Sequence, residues 1–180
     1  GKDYIDESYE NVIGMITNVY SILDYDFGQT YKGGMLASAC DGAEYAYTNN
    51  DICDFVNGSW SPANPMSNIW TSSYKAIQIC NQYLAEFQGL TFDELKLNDD
   101  YRAQMFRYTN SFKEARFLRA YFYFNLVRAY GDVPYFTEMV TTDQVNSLTR
   151  TPAQEIFNAI IAECDKLSTE LPADYTKLGL

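Results

Sequence analysis

The side chains best suited to holding a ligand sit in residues 24–64, a stretch without sustained helical or strand periodicity and rich in Gly, Asn, Asp, Ser and aromatic residues. Its sharpest member is Trp60, in Asn57-Gly-Ser-Trp-Ser-Pro-Ala-Asn64, an indole flanked by turn formers and small polar groups. Such a ring can lie against the C–H face of a sugar while Asn57, Asn64 or Asp41 hydrogen-bonds the hydroxyls. It can equally pack down onto a scaffold and anchor the loop, and the residues alone leave both roles open. Tyr45 and Tyr47 offer flat apolar faces with hydrogen-bonding tips, and with Trp60, Asp41, Asn57 and Asn64 they complete the candidate ligand-binding set. Asp41, in Asp41-Gly-Ala-Glu44, also suits the commoner task of capping a turn.

Other chemistries fit less well. Asp51-x-x-Asp54 and Asp24-x-Asp26 are paired carboxylates, the groups a glycosidase uses as acid and as base or nucleophile. Nothing in their contexts fixes a separation or perturbs a pKa, so they read as solvated acids, and no catalytic residue is assigned. The chain has no histidine, and its four cysteines, Cys40, Cys53, Cys80 and Cys164, contain no C-x-x-C pair. That excludes a Cys/His zinc site and a Ser-His or Cys-His catalytic pair within this chain. No metal-ligating residue is assigned, and no cofactor is expected. Cys80 and Cys164 read as free, buried thiols on apolar helix faces, with a Cys40–Cys53 disulfide as the alternative for the other two.

Composition narrows the partners. Thirteen Lys and Arg against 24 Asp and Glu give a net charge of −11, which opposes an electrostatic grip on nucleic acid or anionic lipid. Sixteen tyrosines and eleven phenylalanines are a heavy aromatic load, most of it expected in helix packing. Disorder in residues 24–64 is disfavoured by Tyr25, Phe27, Tyr31, Phe55 and their neighbours, so one long ordered loop is expected there. At 180 residues the chain is a one-domain length, and no apolar segment is long enough to span a bilayer.

The elements that must carry this loop are helices. Val12, Ile16, Val19 and Leu23 mark a first amphipathic helix over about residues 7–26, with Asp6 or Ser8 as N-cap. Pro65 after Asn64 opens a second, over about 65–88, which Gly89 stops; Ile69, Tyr74, Ile77, Cys80 and Leu84 form its buried side. A third runs over about 99–130. Ser111-x-x-Glu114 reads as a capping box inside it, but one long helix is preferred. Phe117, Tyr121 and Phe124 make one apolar stripe and Leu118, Phe122 and Leu126 another, so this helix is expected to be buried between neighbours, and its arginines to brace it. The fourth, about 151–171, has Thr151 as cap, Pro152 at N1, and Ile156, Ile160, Cys164 and Leu167 along its apolar side. Residues 133–140 are too weak a strand signal to alter an all-α assignment. Helices two and three have a tetratricopeptide-like arrangement, Ala120-x-x-x-Phe124 with downstream Pro134, although the first half of that repeat is degenerate.

Residues 114–134, E-A-R-F-L-R-A-Y-F-Y-F-N-L-V-R-A-Y-G-D-V-P, resemble the hallmark stretch of the SusD/RagB family of Bacteroidetes outer-membrane nutrient-binding lipoproteins. Residues 68–81 and 150–157 are similar to the helices on either side of it. The resemblance implies an α-α superhelix of degenerate tetratricopeptide-like repeats, and a chain that is the amino-terminal part of a longer, surface-exposed lipoprotein. It implies non-catalytic capture of oligosaccharide or polysaccharide, passed to a TonB-dependent SusC-like transporter, and it favours the ligand-binding role for Trp60. The signal peptide and lipid-carrying cysteine of such a protein are expected upstream of Gly1. A fourth helix without its partner, and hence an exposed apolar face, is a further expectation. The rival reading is a tetratricopeptide-type scaffold that binds protein and no sugar.

Overall fold

A computed structural model describes residues 8–23, 29–30, 34–35 and 69–170. Within them the fold is helical: α1 (Tyr9–Ser21), α2 (Ile69–Glu86), α3 (Tyr101–Tyr130), α4 (Thr142–Ser147) and α5 (Ala153–Glu170). The described strands are the two-residue β1 (Gln29–Thr30) and β2 (Gly34–Met35), paired antiparallel with Gln29 opposite Met35. The all-α, tetratricopeptide-like class therefore stands, with this small pair added to it.

The apolar spacing of α1 places Val12, Ile16 and Val19 on one buried face. Ser8 is its cap, accepting from Asn11 N–H at 3.2 Å. The helix ends at Ser21, short of the expected 26, because Ile22 and Leu23 turn back to Val19 and Tyr20 in i→i−3 bonds that tighten and close the last turn.

In α2, Ile77 and Cys80 are fully buried, whereas Ile69, Tyr74 and Leu84 are only partly so. The centre of its buried face is Ser73, Ala76, Ile77, Cys80 and Tyr83, with Phe87 just past the helix. Gly89 then takes a left-handed φ of 80°, the conformation that stops a helix with least strain when no Cβ is present. Phe92 also has positive φ, 46°, which is unusual for a bulky residue. Its buried ring explains the tolerance, standing edge-on to Tyr9 at 5.5 Å and to Tyr108 at 5.1 Å.

Helix α3, 30 residues and roughly 45 Å long, is the spine. Tyr83 meets Ser111, Asn81 meets Arg119 and Tyr74 meets Tyr123, so α2 runs antiparallel to it. Ser111 caps nothing. Its hydroxyl is buried inside the helix, bonded to Tyr108 C=O and to the Tyr83 hydroxyl, so the preferred single long helix stands over a start at the Ser111–Glu114 capping box. Glu114 instead accepts from Tyr20 Oη at 2.7 Å and pairs with Arg107, tying α1 to the spine.

Of the two aromatic stripes on α3, Leu118, Phe122 and Leu126 are buried, along with Tyr123. The helix lies between α2 and α5 as expected, but the other stripe is left partly open, with Phe117 53% and Phe124 40% exposed. Helix α5, antiparallel to α3 on its other flank, buries Ile156 and Leu167 but leaves Ile161 58% exposed. Phe124 touches Phe157 across the gap, ring centroids 6.1 Å apart, so α3 and α5 share one apolar edge.

The Gly-Asp-Val-Pro stop also starts the next helix. Gly131, φ 71°, closes α3 by donating to Val127 C=O, and Val133 then bridges Thr151. Asp132 Oδ1 accepts from Ala153 N–H at 2.8 Å, so the capping side chain of α5 is Asp132 and not Thr151, which is held in the bridge. Asp132→Ala should lower stability by about 1 kcal/mol through loss of that cap, measured by urea unfolding.

Cys80 and Cys164 are free, Cys80 fully buried and Cys164 partly so. Cys40 and Cys53 lie outside the described residues. Burial pushes the Cys80 thiol up to about 12, with Arg119 opposing more weakly. Because the thiolate is the reactive form, native protein treated with iodoacetamide near pH 8 should label Cys164 and spare Cys80, with Cys80 reacting only in denaturant, as read by peptide mass spectrometry.

Candidate functional site

The six sequence-predicted ligand residues, Asp41, Tyr45, Tyr47, Asn57, Trp60 and Asn64, all lie outside the described residues. The same holds for the acidic pairs Asp24/Asp26 and Asp51/Asp54. Of residues 24–64 the structure describes β1 and β2 alone.

At the described margin of this segment stands an aromatic cluster built by three elements. Trp70, in the first turn of α2, meets Tyr74 at 5.0 Å and the edge of Tyr130, the last residue of α3, at 5.2 Å. The Arg150 guanidinium lies 5.6 Å from the Trp70 ring, a cation–π contact, and donates to Asp132 C=O. Tyr74 donates to Pro134 C=O at 2.7 Å and stacks on Phe136, and burial pushes its phenol well above the ordinary range. The cluster thus binds the amino end of α2 to the carboxyl end of α3 and to the Gly-Asp-Val-Pro turn. Its rings are engaged with one another.

A second feature is a cleft of about 200 Å³ where α3, α5 and the segment after Pro134 converge. Arg116, Arg119, Tyr123, Tyr135, Ile160 and Glu163 contribute to its lining. The Arg116 side chain, one-fifth exposed, holds Glu163 through Nε and Glu170 through Nη1, the latter at 2.6 Å. Glu170 is held below the usual carboxylate range, chiefly by the hydrogen bond from Arg116. Arg119 Nη1 donates to Asn81 Oδ1 at 2.8 Å and to Thr137 C=O at 2.9 Å. The bracing role read for Arg116, Arg119 and Arg128 is what Arg116 and Arg119 perform, Arg107 shares it through Glu114, and Arg128 lies over the Phe124 ring. Sequence reasoning did not find the cleft itself; Arg116 and Arg119 one turn apart beside Tyr123 were its only local signal.

Among the described residues no cluster of His, Cys, Asp or Glu could hold a metal ion, and no helix is long and apolar enough to cross a membrane. The helices, their degenerate pairing and the Gly-Asp-Val-Pro junction are one side of the comparison with known proteins. The other is a family model, SusD-like, described as "Starch-binding associating with outer membrane", which matches residues 4–179. The chain belongs to the SusD-like family.

Among curated SusD-like relatives, protein P2 of Formosa agariphila is 29% identical over 108 residues, and protein P25 of the same organism 24% over 110. These matches take in 59% and 61% of this chain but 19% of each relative. A SusD-like carbohydrate-binding protein of Bacteroides fragilis has a similar structure, with TM-score 0.67 and 25% identity over 93% of this chain and 32% of its own. A second SusD-like protein of B. fragilis has the same fold, with TM-score 0.63 and 21% identity over 96% of this chain and 31% of its own. The chain spans about a fifth of the curated SusD-like relatives' length and about a third of the solved SusD-like structures.

Proposed function

We propose that this chain is the amino-terminal helical part of a glycan-capturing protein of the bacterial outer membrane. The observation that carries the reading is the family match over residues 4–179. The structure supports it indirectly: the rings of Tyr83, Phe87, Phe92, Tyr108, Phe122, Tyr123 and Phe136 are buried and taken up by helix packing. Ligand contact then falls to residues 24–64, with Trp60 stacking on a sugar ring, Tyr45 and Tyr47 flanking it, and Asp41, Asn57 and Asn64 hydrogen-bonding hydroxyls. The protein is a surface-exposed lipoprotein that hands oligosaccharide to a TonB-dependent SusC-like transporter. It is not an enzyme, and it uses no cofactor.

A second reading, a tetratricopeptide-type scaffold that binds protein and no sugar, is favoured by one observation, the exposed apolar edge of Phe117, Phe124 and Ile161. The experiment that decides is retention of the full-length protein on a panel of immobilised polysaccharides, with reducing-end release assayed in parallel. Retention without release is the expected result. Release abolished by changing Asp51 or Asp54 would show an enzyme, and failure to be retained on any glycan, with capture on a protein partner through Phe117 and Ile161, would favour the scaffold.

A further inference from the structure

The cleft between α3 and α5 contains a cation that the packing of the helices leaves incompletely used. Its two arginines differ in their partners. Arg116 faces two carboxylates, Glu163 and Glu170, which take up its charge. Among the described residues Arg119 has only neutral acceptors, Asn81 Oδ1 and Thr137 C=O, both reached from Nη1. Asn81 is itself buried and anchored, donating to Glu138 C=O at 3.0 Å, so it holds the guanidinium plane in one orientation. The Nε–Nη2 edge of Arg119 has no hydrogen-bond partner among the described residues. A guanidinium fixed in plane with one edge open is a pre-organised fork, and a carboxylate fills such a fork with two parallel charge-assisted bonds.

The rest of the cleft sets the size and character of what fits. About 200 Å³ is smaller than a drug-sized pocket and comparable to one sugar ring or a short organic acid. Tyr135 is half-buried, and its hydroxyl has no hydrogen-bond partner among the described residues; Ala120 and Ile160 add apolar surface. We propose that this cleft is a binding site for a small carboxylate-bearing ligand the size of a single sugar acid, with Arg119 receiving the carboxylate and Tyr135 lying against the ring. The described lining of the site comes from α3, α5 and the segment after Pro134, and Trp60 is given no part in it. With a net charge of −11 on the chain, an anion is held by the fork and not by a general positive field.

The test is calorimetric titration of the full-length protein with D-glucuronate, D-galacturonate, D-glucose and acetate. At least one uronate should bind at least about tenfold more tightly than glucose and than acetate, and Arg119→Gln should weaken it by about tenfold or more. Trp60→Ala should leave uronate affinity unchanged, which separates this site from the loop. Should Arg119→Gln fold poorly, wild-type protein answers the same question: the uronate, and not glucose, should protect Arg119 from phenylglyoxal, read by peptide mass spectrometry. Equal binding of glucose and uronate, acetate as tight as the uronate, unchanged affinity in Arg119→Gln, loss of uronate binding in Trp60→Ala, or absence of protection at Arg119 would each overturn the proposal.

Discussion

Tyr123→Ala should lower the unfolding free energy by about 3–5 kcal/mol, the range for removing a large buried aromatic side chain. The ring is 1% exposed at the meeting of α2, α3 and the segment after Pro134, against Tyr74, Tyr135 and Phe136. Its hydroxyl donates to Phe136 C=O at 2.7 Å and accepts from Phe136 N–H at 2.9 Å, so one phenol satisfies both backbone groups of a buried residue. The alanine variant leaves a cavity and also orphans those two groups. Tyr123→Phe separates the terms, because it keeps the ring and loses only the hydroxyl, and should cost about 1–3 kcal/mol. Urea unfolding of both variants checks this; a loss below about 1 kcal/mol in Tyr123→Ala would mean that Tyr123 is not part of the spine's core.

The second large effect belongs to Arg116. Removing its side chain in Arg116→Ala leaves Glu163 and Glu170 facing one another's surroundings without their shared cation, and loosens α5 from α3. Because both carboxylates lose their cation at once, Arg116→Ala should unfold at a lower urea concentration than wild type at neutral pH. The effect has a pH signature. Because Arg116 holds the Glu170 carboxyl below its ordinary value of 4.5, the folded state binds that proton less readily than the unfolded one. The resulting stability is present above that ordinary value and is lost as pH falls through the depressed folded value. The gap between wild type and Arg116→Ala should therefore narrow in unfolding curves taken at successively lower pH, and a constant gap would remove the ion pair from the explanation.

How far these features could be read from the sequence depends on how local their causes are. The long α3 helix was legible because its residue types favour helix throughout and Gly131 ends it on the spot. Ser111 is the opposite case: Ser-x-x-Glu carries a local capping signal that the single long helix overrides, and the partner that defines its role, Tyr83, is 28 residues away. The cap of α5 comes likewise from Asp132, 21 residues upstream of Ala153, and no window around residue 151 contains it. On α3 two apolar stripes lay side by side, and periodicity cannot tell which one meets a neighbour. Leu118, Phe122 and Leu126 are covered, and Phe117 and Phe124 are largely open. Arg119 is a further case, since a buried asparagine on α2 and a carbonyl past Pro134 orient it through Nη1.

The candidate loop site is legible only by composition. Residues 24–64 have no period from which to infer a face, so the residue types suggest sugar recognition without fixing which rings converge. The helices account for the family and the scaffold, and under the proposal the capture of a glycan is assigned to residues 24–64.

That assignment is tested most directly by Trp60→Ala in the full-length protein, titrated with whichever polysaccharide the wild type retains. Stacking on a sugar face predicts an affinity loss of about tenfold or more, with an unchanged urea midpoint, because in the proposed role the ring contacts ligand and does not anchor the loop. Undiminished affinity in a fully folded Trp60→Ala variant would contradict the account.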